Sequence, residues 1–276
     1  MHSLPNKQCF SDSQPTWLLK ANANILSPFL CQLVNSCLEH GTVPSSFKLG
    51  YVTPLLKKAD LDAADVKSYR PISNQSVVSK LLKRLVAQQL ITYLMDNGLL
   101  PDLQSAYHAH HSTETAMLNV VGDILLALES GNLAVLSLLD LSAVFNTVDH
   151  DTLLRRLLTS YGLDGVVIKW FAAYLSRWMQ HVQTPTTTSL PSPVAYGVPQ
   201  GSVLGPILEG LHMRQVMALL FLLYVAHLLQ LIKRHRLSSD TQIYGFCQPS
   251  DVNALADRVS ACFDEVRLGC GPTGCR

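Results

Sequence analysis

The sequence predicts an α+β fold in which a short antiparallel sheet is backed by helices. Five segments of ten residues or more place apolar side chains at helical spacing, and three short, mostly apolar runs have the length of strands. Hydrophobic residues make up 48% of the 276 residues and charged residues only 15%. A chain of this composition can bury a core, which excludes an intrinsically disordered protein.

The first half of the chain is predicted to contain three of these helices and one strand. Residues 1–24 lack sustained periodicity and are expected to be loose. Helices are predicted over residues 25–39, 76–95 and 113–130, and a glycine that suits a helix end follows each of them. A strand is predicted over residues 51–56. Because Pro54 cannot donate a backbone hydrogen bond, we expect this strand at a sheet edge.

The segment over residues 133–150 carries the first candidate for chemistry. Residues 133–139 are apolar except for Ser137 and are predicted to form a buried, central strand that leads to Asp140. Such a strand fixes the backbone, so a carboxylate at its end can meet a divalent cation and substrate phosphates. The simpler interpretation of this segment taken alone is a core strand whose Asp caps the next helix.

The second half of the chain adds two helices, a hairpin, a glycine-bracketed loop and a strand. The helices are predicted over residues 151–161 and 166–179, and the hairpin over residues 184–193. Gly197 and Gly201 bracket a loop with Gln200, and such a loop lets the backbone approach a ligand closely. The strand is predicted over residues 242–246.

Charge and cysteine content narrow the classes of protein. The net charge is +1, but residues 48–84 contain eight Lys or Arg against three Asp. This excess would suit phosphates, although a run of charge is more often a solvated face. The seven cysteines are never spaced as CxxC, so we expect neither a disulfide framework nor a zinc site. No signal peptide is recognised, and an intracellular location, nucleus or cytoplasm, is expected.

One apolar run indicates a membrane as an alternative. Residues 215–232 form eighteen residues without a formal charge, flanked by Arg214 and Lys233, which is the threshold length for a spanning helix. Two glutamines and His227 lie inside the run and weigh against insertion. A membrane-associated protein is therefore kept as an alternative that is not favoured.

Several motifs, taken in order, resemble the reverse transcriptase domain of non-LTR (LINE-like) retrotransposons. They are VTPLLKK at 52–58, SYRPIS at 68–73, QSAY at 104–107, HSTETA at 111–116, LLDLSAVFNTVDH at 138–150, YGVPQGSVLGPIL at 196–208 and DTQIYGF at 240–246. The resemblance extends from about residue 20 to residue 266, nearly the whole chain. So many motifs in one order make coincidence improbable.

The resemblance implies a domain organisation and an activity. A loose segment, 1–24, would precede fingers over residues 25–132 and a palm over residues 133–266, with an inserted segment at about 209–220. In the palm, the strand that precedes Asp140 would pair with the strand over residues 242–246. Residues 267–276 would be an unrelated tail, with the thumb missing. The implied activity is that of an RNA-directed DNA polymerase. It would extend a DNA primer on an RNA template from deoxynucleoside triphosphates, with Mg²⁺ or Mn²⁺.

The resemblance also assigns roles to residues. Asp140 and Asp240 match catalytic acids that bind the metal ions. Gln104 and Ser112 match positions that contact the template. The residues that would bind the incoming nucleotide are Lys57, Lys58, Arg70, Phe145, Gln200 and Gly201.

Two departures from the family pattern bear on activity. The family has a Tyr-Ala-Asp-Asp hairpin, and here Ser239 takes the place of its first Asp while Asp240 retains the second. Residues 209–220 are the inserted segment. Losing one acid of a two-metal site costs on the order of several kcal/mol of transition-state stabilisation, so we expect impaired catalysis.

Three functions therefore remain open from the sequence. The first is an inactive fragment that binds RNA through cations, among them Lys83 and Arg84. The second is an active polymerase, and the third is the membrane-associated protein.

Overall fold

Short groups of helices and strands follow one another along the chain. The structure, a computed structural model, describes residues 9, 12, 14–99, 113–138, 148–194, 196–197, 220, 223–224, 238–239 and 242–269. The helices are α1 (Thr16–Ala21), α2 (Ala23–Glu39), α3 (Val77–Asp96), α4 (Thr113–Glu129), α5 (His150–Thr159), α6 (Gly165–Leu175) and α7 (Val252–Gly269). The strands are β1 (Leu49–Leu56), β2 (Tyr69–Asn74), β3 (Leu133–Leu138), β4 (Trp178–Val182), β5 (Ser192–Val194), β6 (Ser238–Ser239) and β7 (Gln242–Cys247).

The described strands form two sheets. One has the order β2-β1-β4-β5 and the other the order β3-β7-β6. Strands β1 and β4 run parallel, and the other four strand pairs are antiparallel. This mixture of helices with mainly antiparallel strands agrees with the predicted α+β class.

Helix α3 shows how local sequence sets the element boundaries. The Ser76 hydroxyl accepts a hydrogen bond from the Ser79 backbone N–H at 3.3 Å, which caps the helix start. Gly98 has a φ of 61°, a left-handed conformation that glycine adopts without steric cost and that suits a helix end. The predicted helix over residues 76–95 is therefore confirmed to within a residue at each end.

The core lies where α3, α5 and α6 meet. Its side chains recur at helical spacing on α3 and α5, as predicted, and each contributes roughly 1.5–3 kcal/mol through burial. Among those no more than 2% exposed are Leu82, Leu94, Leu153, Leu157 and Phe171.

The prediction that the strand with Pro54 lies at a sheet edge is wrong. Strand β1 lies between β2 and β4. Pro54 is tolerated because β4 pairs only with residues 49–52, so β1 has β2 as its sole described neighbour beyond Val52. There Pro54 lies opposite Pro71 of β2.

The predicted helix over residues 166–179 ends earlier than expected. Helix α6 ends at Leu175, Arg177 has a φ of 57°, and β4 begins at Trp178. The left-handed conformation of Arg177 breaks the helix, and the aromatic spacing that indicated helix continues into a strand whose first residue, Trp178, is buried in the core.

The pairing of the strand before Asp140 is confirmed, but its predicted central position is wrong within the described residues. Strand β3 pairs with β7 over residues 133–138. The middle strand is β7, because its short hairpin partner β6 occupies its other edge.

None of the described helices is both long enough and apolar enough to cross a membrane. The apolar run over residues 215–232 lies mostly outside the described residues.

Candidate active site

Most of the residues predicted for the site lie outside the described part of the chain. They are Gln104, Ser112, Asp140, Phe145, Gln200, Gly201 and Asp240. Lys57, Lys58 and Arg70 are described. The structure therefore gives the positions of these three cations and of the residues next to the undescribed segments.

The flanks of Asp140 and Asp240 are neighbours in one sheet. Leu138, two residues before Asp140, lies directly opposite Gln242, two residues after Asp240. Residues opposite each other in an antiparallel pair have Cα atoms about 4.5–5.5 Å apart. Strand β6 ends at Ser239 and pairs with β7, which begins at Gln242, so Asp240 falls between these two strands in the sequence.

A second junction joins the flanks of two other motifs. The Gly197 backbone N–H donates to the Val148 carbonyl at 2.9 Å. The His150 Nε2 lies 2.7 Å from the Gly197 carbonyl oxygen. Gly197 has a φ of 79°, which glycine adopts without strain. The segment with Phe145 and the loop with Gln200 are thus attached to each other at their described ends.

Helix α5 begins at this junction and is capped by Asp149. One carboxylate oxygen of Asp149 accepts a hydrogen bond from the Thr152 backbone N–H at 2.8 Å. Hydrogen bonds from Thr152 are the main cause that lowers the pKa of Asp149 below its ordinary value. This contact gives Asp149 a capping role, and no contact of the described residues supports it as a replacement for the lost acid of the hairpin.

Helix α5 and the turn after it contact Leu223 and Tyr224, which lie within the apolar run over residues 215–232. Arg156 donates to the Tyr224 carbonyl and lies 4.6 Å from the centre of the Tyr224 ring. The Tyr161 hydroxyl donates to the Leu223 carbonyl at 3.2 Å, and burial raises the pKa of Tyr161 to about 12. These contacts place Leu223 and Tyr224 beside the helix that starts next to Val148.

The predicted nucleotide-binding cations lie at one end of the β1–β2 hairpin. Arg70 is opposite Leu55, and the Lys57 backbone N–H donates to the Ser68 carbonyl at 2.9 Å. Lys57 lies one residue beyond β1, and Arg70 is the second residue of β2. Lys57, Lys58 and Arg70 are all exposed. Exposed ammonium and guanidinium groups at one end of a hairpin can bind phosphates.

Other cations of the same charged stretch are structural. Lys48 is 8% exposed and its Nζ donates to the Ala173 carbonyl at 3.0 Å. Burial, and secondarily the charge of Arg177, lowers the pKa of Lys48. Lys80 donates to the Asn74 side-chain oxygen. The local excess of positive charge is therefore only partly available to a ligand.

Lys83 was predicted to contact RNA, and the structure places it elsewhere. Its Nζ lies 4.9 Å from the centre of the Trp178 ring and 5.8 Å from that of Tyr174. The side chain as a whole is half-buried, but its ammonium group is enclosed. Burial, and secondarily the charge of Lys80, holds the pKa of Lys83 well below its ordinary value.

A stacked pair of rings on the four-stranded sheet was not predicted from the sequence. The rings of Tyr51 and His181 are stacked with centroids 5.2 Å apart and planes 14° apart. Their strands, β1 and β4, pair in parallel with these two residues in register. No local pattern signals a contact between residues so far apart in sequence.

A metal site cannot be assembled from the described residues alone. Within that part of the chain, no group of three His, Cys, Asp or Glu has a geometry that would hold a metal ion. The predicted ligands Asp140 and Asp240 lie outside it.

The matching family model and the similar proteins indicate the same family. Residues 56–238 match the family model described as reverse transcriptase (RNA-dependent DNA polymerase). The RNA-directed DNA polymerase from mobile element jockey of Drosophila melanogaster is 32% identical over 181 residues, which is 65% of this chain and 19% of that protein. Two further Drosophila melanogaster proteins are each 30% identical. The probable RNA-directed DNA polymerase from transposon BS matches 65% of this chain and 20% of its own length. The one from transposon X-element matches 67% and 20%.

The chain spans about a fifth of the length of these curated relatives. The matched family segment includes the β1–β2 hairpin end, β3 and the Gly197 junction.

Proposed function

Because this chain belongs to the reverse transcriptase (RNA-dependent DNA polymerase) family and is the reverse transcriptase domain of a non-LTR retrotransposon, we propose that it binds an RNA template, a DNA primer and deoxynucleoside triphosphates. The observation that carries the proposal is the pair of junctions around the undescribed motifs. Leu138 lies opposite Gln242, and Gly197 is hydrogen-bonded to Val148. The motif at 138–150 is therefore joined at one end to the motif at 240–246 and at the other end to the motif at 196–208.

The domain assignment is part of the proposal. Residues 25–132 form most of the fingers, and residues 133–266, apart from strands β4 and β5, form a palm in which the three-stranded sheet carries the acids. Strand β4 follows the palm strand β3 in sequence but pairs with β1, and β5 pairs with β4. In this proposal β4 and β5 complete the sheet of the fingers, so the fingers are discontinuous in sequence.

Lys57, Lys58 and Arg70 bind the triphosphate of the incoming nucleotide. Their exposure and their position at one end of the β1–β2 hairpin support this role. A fixed guanidinium and ammonium neutralise phosphate charge, which both positions the nucleotide and favours the transition state of phosphoryl transfer. Phe145, Gln200 and Gly201 complete the nucleotide site, while Gln104 and Ser112 contact the template.

Asp140 and Asp240 are the proposed ligands of Mg²⁺ or Mn²⁺. When bound, such ions would neutralise charge on the attacking and leaving oxygens. The chain carries Ser239 where the family has a second hairpin acid, so the donor set is short of one carboxylate. We therefore propose that catalysis is impaired while nucleotide and nucleic-acid binding remain.

Primer extension on an RNA template tests this proposal. Purified protein with Mg²⁺ or Mn²⁺ is compared with Asp140→Ala, and RNA binding is measured in parallel at several salt concentrations. We expect extension no greater than that of the Asp140→Ala control, together with RNA binding that weakens steeply as salt rises. Extension that disappears in Asp140→Ala would contradict the impairment. Absence of RNA binding would contradict the proposed substrate class.

A further inference from the structure

Helix α4 carries a row of exposed aliphatic side chains. Four of its residues recur at intervals of three, four and three positions and are between 46% and 70% exposed: Leu118, Val121, Leu125 and Leu128. Residues at these intervals lie on one side of a helix, as in the seam of a coiled coil. This α4 row therefore has the spacing that packs against a second helix.

Contacts on the other side of α4 show how the row lies relative to the sheet. Val120 and Ala127 are buried, and α4 packs against β3. The Tyr244 hydroxyl of β7 donates to the Asp123 carboxylate at 2.9 Å. At about 100° per residue, Asp123 and Val121 lie on opposite flanks of the buried side of the helix. The α4 row is thus on the flank away from β7, toward the other edge of β3.

That edge of β3 is open in the described part of the chain. Strand β3 pairs with β7, and the order β3-β7-β6 places it at the end of the sheet. Its sequence, LAVLSL, contains neither a charge nor a proline, which are features that keep an edge strand from pairing with another chain. Leu133 is 43% exposed and Val135 is 36% exposed. The β3 edge can therefore accept a further strand.

The surface formed by the α4 row and the β3 edge is uncharged. Between Thr115 and Leu128 the only formally charged residue of α4 is Asp123, and it contacts β7 from the other flank. A second copy of the same surface would meet it without repulsion between like charges, whereas a strongly charged partner would find no opposite charge. Two antiparallel copies of β3 can also pair about a two-fold axis, which is the symmetry of most dimers.

The exposed apolar area matches what a dimer needs. An aliphatic side chain that becomes fully buried loses on the order of 60–120 Å² of accessible surface. The six aliphatic side chains of the α4 row and the β3 edge are between 36% and 70% exposed. Together they offer roughly 200–350 Å². An interface at the lower end of the standard range buries about 600 Å² per partner, of which about 350 Å² is apolar.

We propose that this surface is the interface of a homodimer. The two copies of β3 pair antiparallel, and the two α4 rows pack against each other on one face of the joined sheet. The described three-stranded sheet then continues across the two-fold axis into that of the second copy. This interface uses none of the residues proposed to bind nucleotide, template or metal ions, so it does not depend on the proposed function.

Sedimentation equilibrium over protein concentrations from about 1 to 100 µM tests the proposal. We expect a monomer–dimer equilibrium for the unaltered protein. Leu118→Glu/Leu125→Glu is expected to weaken dimerisation at least about a hundredfold, because the interface would bury carboxylates without a partner. Both side chains are exposed and glutamate favours a helix, so the variant keeps its fold.

The matched control makes the same two changes at a distance in sequence from the interface. Val66→Glu/Leu190→Glu replaces side chains that are 84% and 87% exposed, and it is expected to dimerise like the unaltered protein. Equal weakening by the two double variants would overturn the proposal, because the effect would then follow from added charge alone.

Hydrogen exchange of the β3 amides tests the strand pairing itself. Amides of residues 133–138 that are not bonded to β7 are expected to exchange at least about tenfold more slowly at high than at low protein concentration. In Leu118→Glu/Leu125→Glu this dependence on concentration should disappear. A dimer whose β3 amides exchange at one rate at all concentrations would overturn the pairing of β3.

Two further results would also overturn the homodimer. The first is a monomer at every concentration, and the second is a dimer that Leu118→Glu/Leu125→Glu leaves intact. If the protein were monomeric, its co-sedimentation with phosphatidylcholine vesicles would identify a lipid surface as the occupant of this face instead.

Discussion

Lys83 shows how the environment of one residue decides its role. Its charge in a basic stretch indicated a contact with RNA, but its ammonium group lies against the rings of Trp178 and Tyr174. A cation over an aromatic ring gains about 0.5–2 kcal/mol, and burial costs part or all of that gain. Burial also holds the pKa of Lys83 well below its ordinary value, which disfavours the charged form of this side chain.

Lys83→Met is expected to stabilise the protein. The pKa of Lys83 is lowered in the folded state, whereas in the unfolded chain it is near 10.4. Between these two values the unfolded state binds more protons, so the free energy of unfolding rises with pH. At neutral pH we expect Lys83→Met to raise the free energy of unfolding by about 1–2 kcal/mol and to flatten its rise toward pH 10.

Urea unfolding at several pH values measures this effect, with Lys67→Met as a control because Lys67 is exposed. If Lys83→Met were less stable than the unaltered protein at neutral pH, the contact with the two rings would outweigh the cost of burial.

The stacking of Tyr51 on His181 could not be predicted from the sequence. The motif spacing located Lys57 and Arg70, because both lie in short segments that resemble the family. The ring pair depends on parallel pairing of β1 with β4, and Lys48 reaches Ala173 across 125 residues. Contacts of this kind are set by the tertiary fold and leave no periodicity in the sequence.

Among the helices and strands, the predicted helix over residues 166–179 is wrong at its C-terminal end, where α6 gives way to β4. Apolar and aromatic residues continue at helical spacing to residue 179, but Arg177 has a positive φ and the helix stops at Leu175. Four of the seven described α-helices are followed within three residues by a glycine with a positive φ, as at Gly98 and Gly131. An arginine carries no such signal, so this boundary was not predictable.

Arg177→Gly is expected to stabilise the protein. A non-glycine residue in the left-handed region costs about 1–2 kcal/mol, and glycine adds about 0.5–1 kcal/mol of backbone entropy to the unfolded chain. The net gain in the free energy of unfolding is therefore about 0.5–1 kcal/mol. Removal of the Arg177 charge near Lys48 acts in the same direction.

Thermal unfolding of Arg177→Gly and of Arg177→Ala separates the two contributions. The alanine variant removes the charge but keeps the strained conformation, so it should be less stable than the glycine variant. Equal stability of the two variants would show that the backbone strain is no larger than the about 0.5–1 kcal/mol of entropy that glycine adds to the unfolded chain.

For the molecule as a whole, periodicity and glycine placement predicted the α+β class and five helices, and the family resemblance predicted the pairing of β3 with β7. The order of the strands in each sheet was not predicted, because no local pattern indicates which strand lies between two others. The family motifs predict the site residues, and the described structure brings the flanks of these motifs together at Leu138 and Gln242 and at Val148 and Gly197.

This chain belongs to the reverse transcriptase family but carries Ser239 where the family has the first acid of the catalytic hairpin. Primer extension by Ser239→Asp tests most directly whether Ser239 impairs catalysis, with the unaltered protein and the double variant Ser239→Asp/Asp140→Ala assayed in parallel. We expect extension by Ser239→Asp alone, because the added carboxylate completes the proposed metal ligands. Equal extension by the unaltered protein and Ser239→Asp, or none by either, would contradict the claim that Ser239 is the lesion.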